Sequence, residues 1–337
     1  SSSNINTALV VGLGSIGRRH LRLLREIRPN LKIIAVRHSH ESTQNYEADL
    51  SVYSIDEALK QDPDMAIVAN PSPFHLETSR QLMSSGVHLL IEKPLSINTK
   101  GVEEFLKNCS KTKCKVMTGF NLRFLPCLEE LKSEIKSGTI GKVLSVRVEV
   151  GQNLKTWRPE QDYSSSVSSK KRLGGGVILE LCHEIDYILW IFGSVKWTIA
   201  HLSRQSSLDV DVEDTADILM GLKLKAFNQS EVNVSLNMDF TRHDNHRLFT
   251  VIGEKGTLKS NLIKGRLSHF SEKTNQWKDL SFNQVDRDYS YREQLKHFLC
   301  CIEENNTLRT TGEDGLEVLK VIDKIKESHS EESKLFI

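Results

Sequence analysis

At 337 residues the chain is longer than one hydrophobic core usually supports, so two domains are expected. A formal net charge of +1, with 26% charged and 38% hydrophobic residues, gives no electrostatic footprint for nucleic acid or an anionic membrane surface. No apolar run approaches the ~20 residues that cross a bilayer, and the start of the chain lacks the basic and apolar regions of a signal peptide, which makes a cytoplasmic location the expectation.

Ser1-Ser2-Ser3 reads as a frayed tail. From Ala8, apolar strand-like runs alternate with amphipathic helical stretches. "ALVVGLG" leads into a helix through Ile27, "KIIAVRH" is a strand, "IDEALKQ" a short helix and "MAIVANP" a buried strand. "HLETSRQLMSSG" is helical with Gly86 as its stop, "VHLLIEKP" is a strand, "TKGVEEFLKNCSKT" is helical and "KVMTGFN" is a strand. Such alternation implies a doubly wound parallel sheet in an α/β fold.

A helix through "CLEELKSEIKSG" leads to a different pattern. "KVLSVRVEVGQ", "VKWTIAHLSRQ", "TADILMGLKLK", "SEVNVSLNMDFT" and "RLFTVIGEKGTLKSN" are long, mostly alternating strands, which suits one large, mostly antiparallel open sheet. Its open face calls for a cover, from the helix "GVILELCHEIDYILWIFG" or from a second subunit. "QDYSSSVSSKKRLGGG" reads as a mobile polar loop beside the site, and "YREQLKHFLCCIEEN" and "GLEVLKVIDKIKES" as two closing helices. The expected division is a doubly wound α/β domain over 4–122 and a second α/β domain over 123–337.

Six cysteines are scattered without a C-x-x-C pair, and no histidine cluster has zinc spacing, so reduced, partly buried thiols and no metal are expected.

Gly12, Gly14 and Gly17 form G-x-G-x-x-G, with Ser15 and Ile16 between the last two, behind an apolar strand and before a helix. In that setting glycine provides a tight turn, close approach to a pyrophosphate and close helix packing, and the helix start offers N–H groups to phosphate. About 20 residues on, where an acidic side chain would hold the ribose hydroxyls of NAD, stands Arg37-His38-Ser39. An arginine there suits a 2′-phosphate, which favours NADP over NAD, and Glu41 lies too far along to serve as the ribose ligand. Asn70 and Pro71, then Glu92 and Lys93, lie at strand ends on the side where open α/β sheets bind ligands. A lysine at a cleft mouth acts as acid or base on a hydroxyl or carbonyl. Glu180, His183 and Asp186, spaced i, i+3 and i+6, gather near one face of an otherwise apolar helix, which suits a cleft, although a core histidine with a capping aspartate is the plainer alternative.

With the glycine motif, Asn70-Pro71 with His75, Glu92-Lys93-Pro94, "GFNLRF" and "GGG…HEID" in that order, nearly the whole chain resembles the Gfo/Idh/MocA oxidoreductases. The resemblance implies a Rossmann domain, a C-terminal domain whose open sheet makes a homodimer or homotetramer, and hydride transfer between nicotinamide and a carbon of a sugar or cyclitol. It assigns Lys93 and His183 as catalytic and places Asn121 and Arg123 beside nicotinamide and substrate. Many members carry an aspartate four residues before the histidine, where this chain has Leu179, so the carboxylate role falls to Glu180, moves to Asp186 or is lost. Trp157 and Arg158, with Lys155, Tyr163, Lys170, Lys171 and Arg172, flank or sit in the serine-rich loop and suit an anionic group on the substrate. "ELCHEIDYILWIFG" is most similar to members of bacterial surface-carbohydrate pathways. Two other readings stay open: a retained dinucleotide used transiently in glycoside cleavage or epimerisation, and a non-catalytic dinucleotide sensor.

Overall fold

A computed structural model describes residues 4–39, 47–224 and 229–337; the serine tail and Glu41 lie outside the described residues. Packing divides the chain into two units, the first formed by 1–121 and 288–319 and the second by 122–287 and 320–337. A single boundary after residue 122 is therefore replaced by a division in which residues 288–319 return to the first unit.

The first unit is built on six parallel strands: β1 (Thr7–Val11), β2 (Lys32–Val36), β3 (Leu50–Val52), β4 (Met65–Val68), β5 (His88–Ile91) and β6 (Val116–Thr118). Their order is β3-β2-β1-β4-β5-β6, doubly wound about β1. The apolar runs fill both faces: β1 and β4 are buried along their whole length, as a sheet covered on both sides requires. Helices α1 (Ser15–Ile27), α2 (Ile55–Leu59), α3 (His75–Ser84) and α4 (Val102–Ser110) make the crossovers. Helix α9 (Tyr289–Glu304) lies against α1, and α10 (Gly312–Glu331) begins beside β6, where Thr118 Oγ1 donates to the Thr311 carbonyl at 2.9 Å and Thr310 Oγ1 donates to the Thr118 carbonyl at 3.0 Å. These bonds explain why a segment so late in the sequence belongs to this unit.

The register aligns the strand ends. Val11 pairs with Val36 and Val68, Val68 with Ile91, and Ile91 with Thr118. The residues that follow, Gly12, Arg37, Ala69, Glu92 and Gly119, therefore form one row along the C-terminal edge of the sheet.

The second unit carries nine strands in the order β14-β13-β12-β11-β7-β10-β9-β8-β15. They are β7 (Val143–Gly151), β8 (Ser194–Ser203), β9 (Thr215–Leu224), β10 (Gln229–Asp239), β11 (His246–Gly253), β12 (Gly256–Asn261), β13 (Arg266–Ser271), β14 (Gln276–Phe282) and β15 (Leu335–Phe336). Among the described residues of this sheet only the β7–β10 pair is parallel. "RLFTVIGEKGTLKSN", expected as one strand, is the β11–β12 hairpin, turning at Glu254-Lys255. Helix α5 (Pro126–Lys136) packs on β12 and β13, α7 (Val177–Glu180) packs on β9 and β10, and α8 (His183–Phe192) packs on β9. The opposite face presents a row that the register runs from Ile199 through Leu219, Ser235 and Arg147 to Thr250. Ile199 and Leu219 are exposed in that row, so this face is the open one.

Two expectations are corrected here. The serine-rich segment is folded into three consecutive 3-10 turns at Tyr163–Ser165, Val167–Ser169 and Lys171–Leu173, not an open loop. Short polar side chains bond the local backbone: Asp162 accepts from Ser164 N at 3.0 Å, Ser166 Oγ donates to Tyr163 O at 2.6 Å and Ser169 Oγ donates to Ser164 O at 2.9 Å. The helix expected through "GVILELCHEIDYILWIFG" is two helices, broken at Leu181-Cys182, so Glu180 and His183 are on different helices and the i, i+3, i+6 face does not form.

Candidate active site

The glycine turn is shaped by what surrounds it. Gly12 has φ +91°, and a Cβ there would lie 2.7 Å from Asn70 N and 2.8 Å from Asn70 Cα, so only glycine lets the β1 end meet the β4 loop. A Cβ at Gly17 would lie 1.9 Å from the Gly12 carbonyl oxygen, which fixes the approach of α1 to the turn. Gly14 differs: nothing stands within 4 Å of its Cβ position. It is the N-cap of α1, with no side-chain cap and no acidic residue in the first turn, and Gly14 and Ser15 are exposed. The first helical N–H groups, at Ser15, Ile16 and Gly17, have no partner within a helix by geometry, and the dipole end is positive. This is a cradle for an anion such as a pyrophosphate.

Three buried polar atoms near the sheet edge lack a hydrogen-bond partner among the described residues: Arg37 Nε, Asn70 Oδ1 and Asn121 Oδ1. Arg37 follows β2 with its N–H donated to Val52 O at 2.8 Å; His38 is exposed and Ser39 half-buried beyond it. The Asn70 amide donates to Thr78 Oγ1 at 3.0 Å, and the Asn121 amide donates to Ser290 Oγ at 2.8 Å. Each asparagine thus keeps a carbonyl oxygen for something else, the demand a bound polar ligand meets.

His75 and Glu92, expected from sequence among the cofactor-binding residues, are both hydrogen-bonded within the fold. His75 is 1% exposed, its ring nitrogens 2.8 Å from Pro94 O and 2.7 Å from Asn70 O, so it ties the β4 loop to the β5 loop around Pro71. Burial holds this imidazole below its ordinary pKa, opposed by those two carbonyls. Glu92, 5% exposed, meets His20 Nε2 at 2.6 Å with one carboxylate oxygen and accepts from Lys93 N at 3.2 Å with the other. Lys93, half-buried, is the next residue out along this edge, followed by a cis peptide to Pro94.

In the second unit the three glycines before α7 are required one by one. Gly174 is left-handed, a Cβ at Gly175 would lie 2.5 Å from Ser168 O, and one at Gly176, φ +108°, would lie 2.6 Å from Glu213 Oε1. Glu213 accepts from Ile178 N at 3.2 Å, fastening α7, and burial raises its pKa. His183, 6% exposed, opens α8. The two carboxylates of the same turn, both suited to a positive helix end, are engaged by arginines. Asp186 takes a bidentate pair from Arg123, Nε at 2.9 Å and Nη2 at 2.6 Å, with both side chains buried. Glu184, fully buried, accepts from Arg247 Nη2 at 3.0 Å and from the Tyr187 hydroxyl. Asp186 and Arg123 therefore form a buried, bidentate ion pair. Glu180 ends α7, half-buried.

Of the residues expected to face substrate, Trp157, Lys155, Tyr163 and Lys171 make local contacts. Trp157 ends α6 (Leu154–Trp157), packs edge-on to Phe240 at 5.2 Å and donates its indole N–H to Gln152 O at 3.1 Å. Lys155 lies 5.9 Å from the Tyr163 ring centroid, Tyr163 Oη accepts from Asp209 N at 2.9 Å, and Asp211 accepts from Lys171 N at 2.7 Å. Arg158, Lys171 and Arg172 are exposed, and Lys170 is half-buried.

Sequence reading missed His20, Glu184 and Arg247. His20 had a signal: Gly17, His20, Leu21 and Leu24 are spaced i, i+3, i+4 and i+7, which puts the histidine on the buried face of α1.

The six-stranded parallel sheet and the glycine turn at its edge define a Rossmann-type unit. Residues 6–120 match the oxidoreductase family, NAD-binding Rossmann fold, and residues 132–336 match the oxidoreductase family, C-terminal alpha/beta domain. The chain belongs to this family, the Gfo/Idh/MocA oxidoreductases, and its first unit is an NAD-binding Rossmann domain. It is 25% identical to myo-inositol 2-dehydrogenase of Thermotoga maritima over 317 residues, 91% of each chain. It is 26% identical to glucose-6-phosphate 3-dehydrogenase of Bacillus subtilis over 263 residues, 74% of this chain and 73% of the relative. Among solved structures it is similar in fold to levoglucosan dehydrogenase in complex with NADH, with a TM-score of 0.84 at 19% identity over 99% of both chains. Among the described residues no helix is long and apolar enough to cross a membrane.

Proposed function

We propose that the chain is an NAD(P)-dependent dehydrogenase or reductase acting on a hydroxyl or keto carbon of a sugar or sugar derivative. The observation that carries this reading is the open Gly14 position at the uncapped start of α1, in line with the unpartnered Arg37, Asn70 and Asn121 atoms. The names of the relatives, an inositol and a glucose-6-phosphate dehydrogenase, support a polyhydroxylated substrate.

Ser15, Ile16 and Gly17 N–H groups hold the pyrophosphate, and the Asn70 and Asn121 carbonyl oxygens accept from the polar groups of the bound nucleotide. Arg37 pairs with a 2′-phosphate, which makes NADP the favoured form. The bound nicotinamide supplies the hydride acceptor or donor. Lys93 and His183 hydrogen-bond the reacting oxygen, and one of them takes its proton in oxidation or returns it in reduction, a role worth about 10²–10⁴-fold in rate. With Asp186 paired to Arg123, the carboxylate role falls to Glu180 or is lost. A role in surface-carbohydrate metabolism fits the form of "ELCHEIDYILWIFG", and a symmetric homo-oligomer through the open sheet face fits its exposed Ile199 and Leu219.

The test is Lys93→Ala, assayed by nicotinamide absorbance against a panel of sugars, sugar phosphates and cyclitols. Turnover is expected to vanish while dinucleotide affinity stays at the wild-type value. Equal loss of both would make the lysine a cofactor ligand or a structural residue and remove it from the chemistry.

A further inference from the structure

We infer that His20, on the helix that leaves the glycine turn, is a positioning residue for Lys93, acting through the Glu92 carboxylate. The inference rests on the role proposed for Lys93 and concerns how that lysine is held.

Glu92 is the last residue before Lys93, and its side chain turns back along the strand end. One oxygen meets His20 Nε2 at 2.6 Å and the other accepts the Lys93 backbone N–H at 3.2 Å. The carboxylate is nearly out of water, with 7% of its side chain exposed against 0% for His20, so its orientation is set by these partners. Room for it comes from Gly119, whose Cβ would lie 3.0 Å from Glu92 Oε2. The hydrogen of His20 belongs on Nε2, facing the carboxylate, since Nδ1 has no partner among the described residues.

His20 is itself held. The Tyr291 ring of α9 meets it edge-on, 5.9 Å between centroids at 84°, and the Arg19 guanidinium covers Tyr291 at 4.8 Å. Burial, with the Glu92 charge adding to it, raises the Tyr291 phenol above its ordinary pKa and keeps it neutral beside the carboxylate. A chain of contacts thus runs from α9 through Tyr291, His20 and Glu92 to the backbone that carries Lys93, all within the first unit. A polar residue on the packed face of α1 needs such a use, because an apolar side chain fills that position without desolvating a ring nitrogen.

The test compares His20→Ala with His20→Gln, whose amide reaches the Nε2 position and still donates. The readout is the rate at which acetic anhydride labels Lys93 in the whole protein, measured by peptide mass spectrometry against exposed Lys107, with NADH and NADPH affinity measured alongside. For His20→Ala, Lys93 labelling is expected to rise about fivefold, the factor that one lost buried hydrogen bond makes in a local opening equilibrium. His20→Gln is expected to restore the wild-type rate, and dinucleotide affinity is expected to hold in both. If His20→Ala does not fold, Glu92→Leu replaces it: an apolar side chain of similar size bonds neither His20 Nε2 nor the Lys93 N–H, so labelling should again rise. Wild-type labelling in the disrupted variant, or equal labelling in His20→Gln and the disrupted variant, overturns the inference. Labelling reads position and not turnover, so a Lys93→Ala enzyme that stays active would remove the catalytic role while leaving this result standing.

Discussion

Alanine at two glycines of the same turn should fail in opposite ways. Gly14 has φ −70°, a conformation any residue adopts, and its Cβ position is open, so the folded chain tolerates Gly14→Ala. A weaker N-cap and a less flexible unfolded chain offset each other, and stability should change by less than about 0.5 kcal/mol. The new methyl stands where a phosphate must approach the helix start. Overpacking of about 1–3 kcal/mol there converts to a loss of about 5- to 150-fold in dinucleotide affinity. Gly12→Ala meets the reverse situation. Its left-handed φ costs about 1–2 kcal/mol, and the contacts with Asn70 and Ala69 backbone near 2.7–2.9 Å add an overpacking cost of about 1–3 kcal/mol. The sum of about 2–5 kcal/mol lowers the unfolding midpoint by roughly 4–20 °C. Fluorescence titration with NADH and NADPH and thermal unfolding separate the two. A Gly14→Ala protein that binds both dinucleotides as tightly as wild type would refute the cradle.

Asp186→Ala leaves the Arg123 guanidinium buried without its bidentate partner and should cost about 3–5 kcal/mol in urea unfolding, with Arg123→Met in the same chain recovering part of the loss; a single variant as stable as wild type would show that the pair is not structural. Asp288 lies below its ordinary aspartate pKa chiefly because Arg22 donates to it, with partial burial opposing and the Arg22, Arg19 and Arg292 charges assisting. A depressed folded pKa means that this contribution is present above the unfolded value, near pH 4, and is lost as pH falls through the folded value, with screening limiting it to about 1 kcal/mol. Asp288→Asn should therefore flatten the fall in stability below about pH 4, and an unchanged slope would place the acid sensitivity elsewhere.

The Rossmann half was legible because each of its signals is local. Gly12 must accept a positive φ, Gly17 must clear a carbonyl, and fully buried parallel strands read as continuous apolar runs. The strands β13 and β14 gave less: β14 is exposed at nearly every position, so it has no inside and outside to alternate between. The break between α7 and α8 falls at Leu181-Cys182, where no glycine or proline marks it; Glu213, 33 residues beyond Glu180, fastens the first helix, a constraint that spacing along the helix does not contain. The partners of Asp186 and Glu92 are 63 and 72 residues away, and only the fold brings Arg123 and His20 to them. His75 and Glu92 stand in motifs at the strand ends, but that His75 meets Pro94 and Asn70 carbonyls and Glu92 meets His20 depends on packing that the motifs do not contain.

The most direct test of the whole reading is a fluorescence titration of the purified chain with NADPH and, separately, NADH. Saturable binding, tighter for NADPH, is the predicted result and would tie Arg37 to the 2′-phosphate. Tighter binding of NADH would remove that role from Arg37 and leave the oxidoreductase standing. If neither dinucleotide binds and none accompanies the protein through purification, the glycine cradle does not hold a nucleotide and the proposed chemistry falls with it.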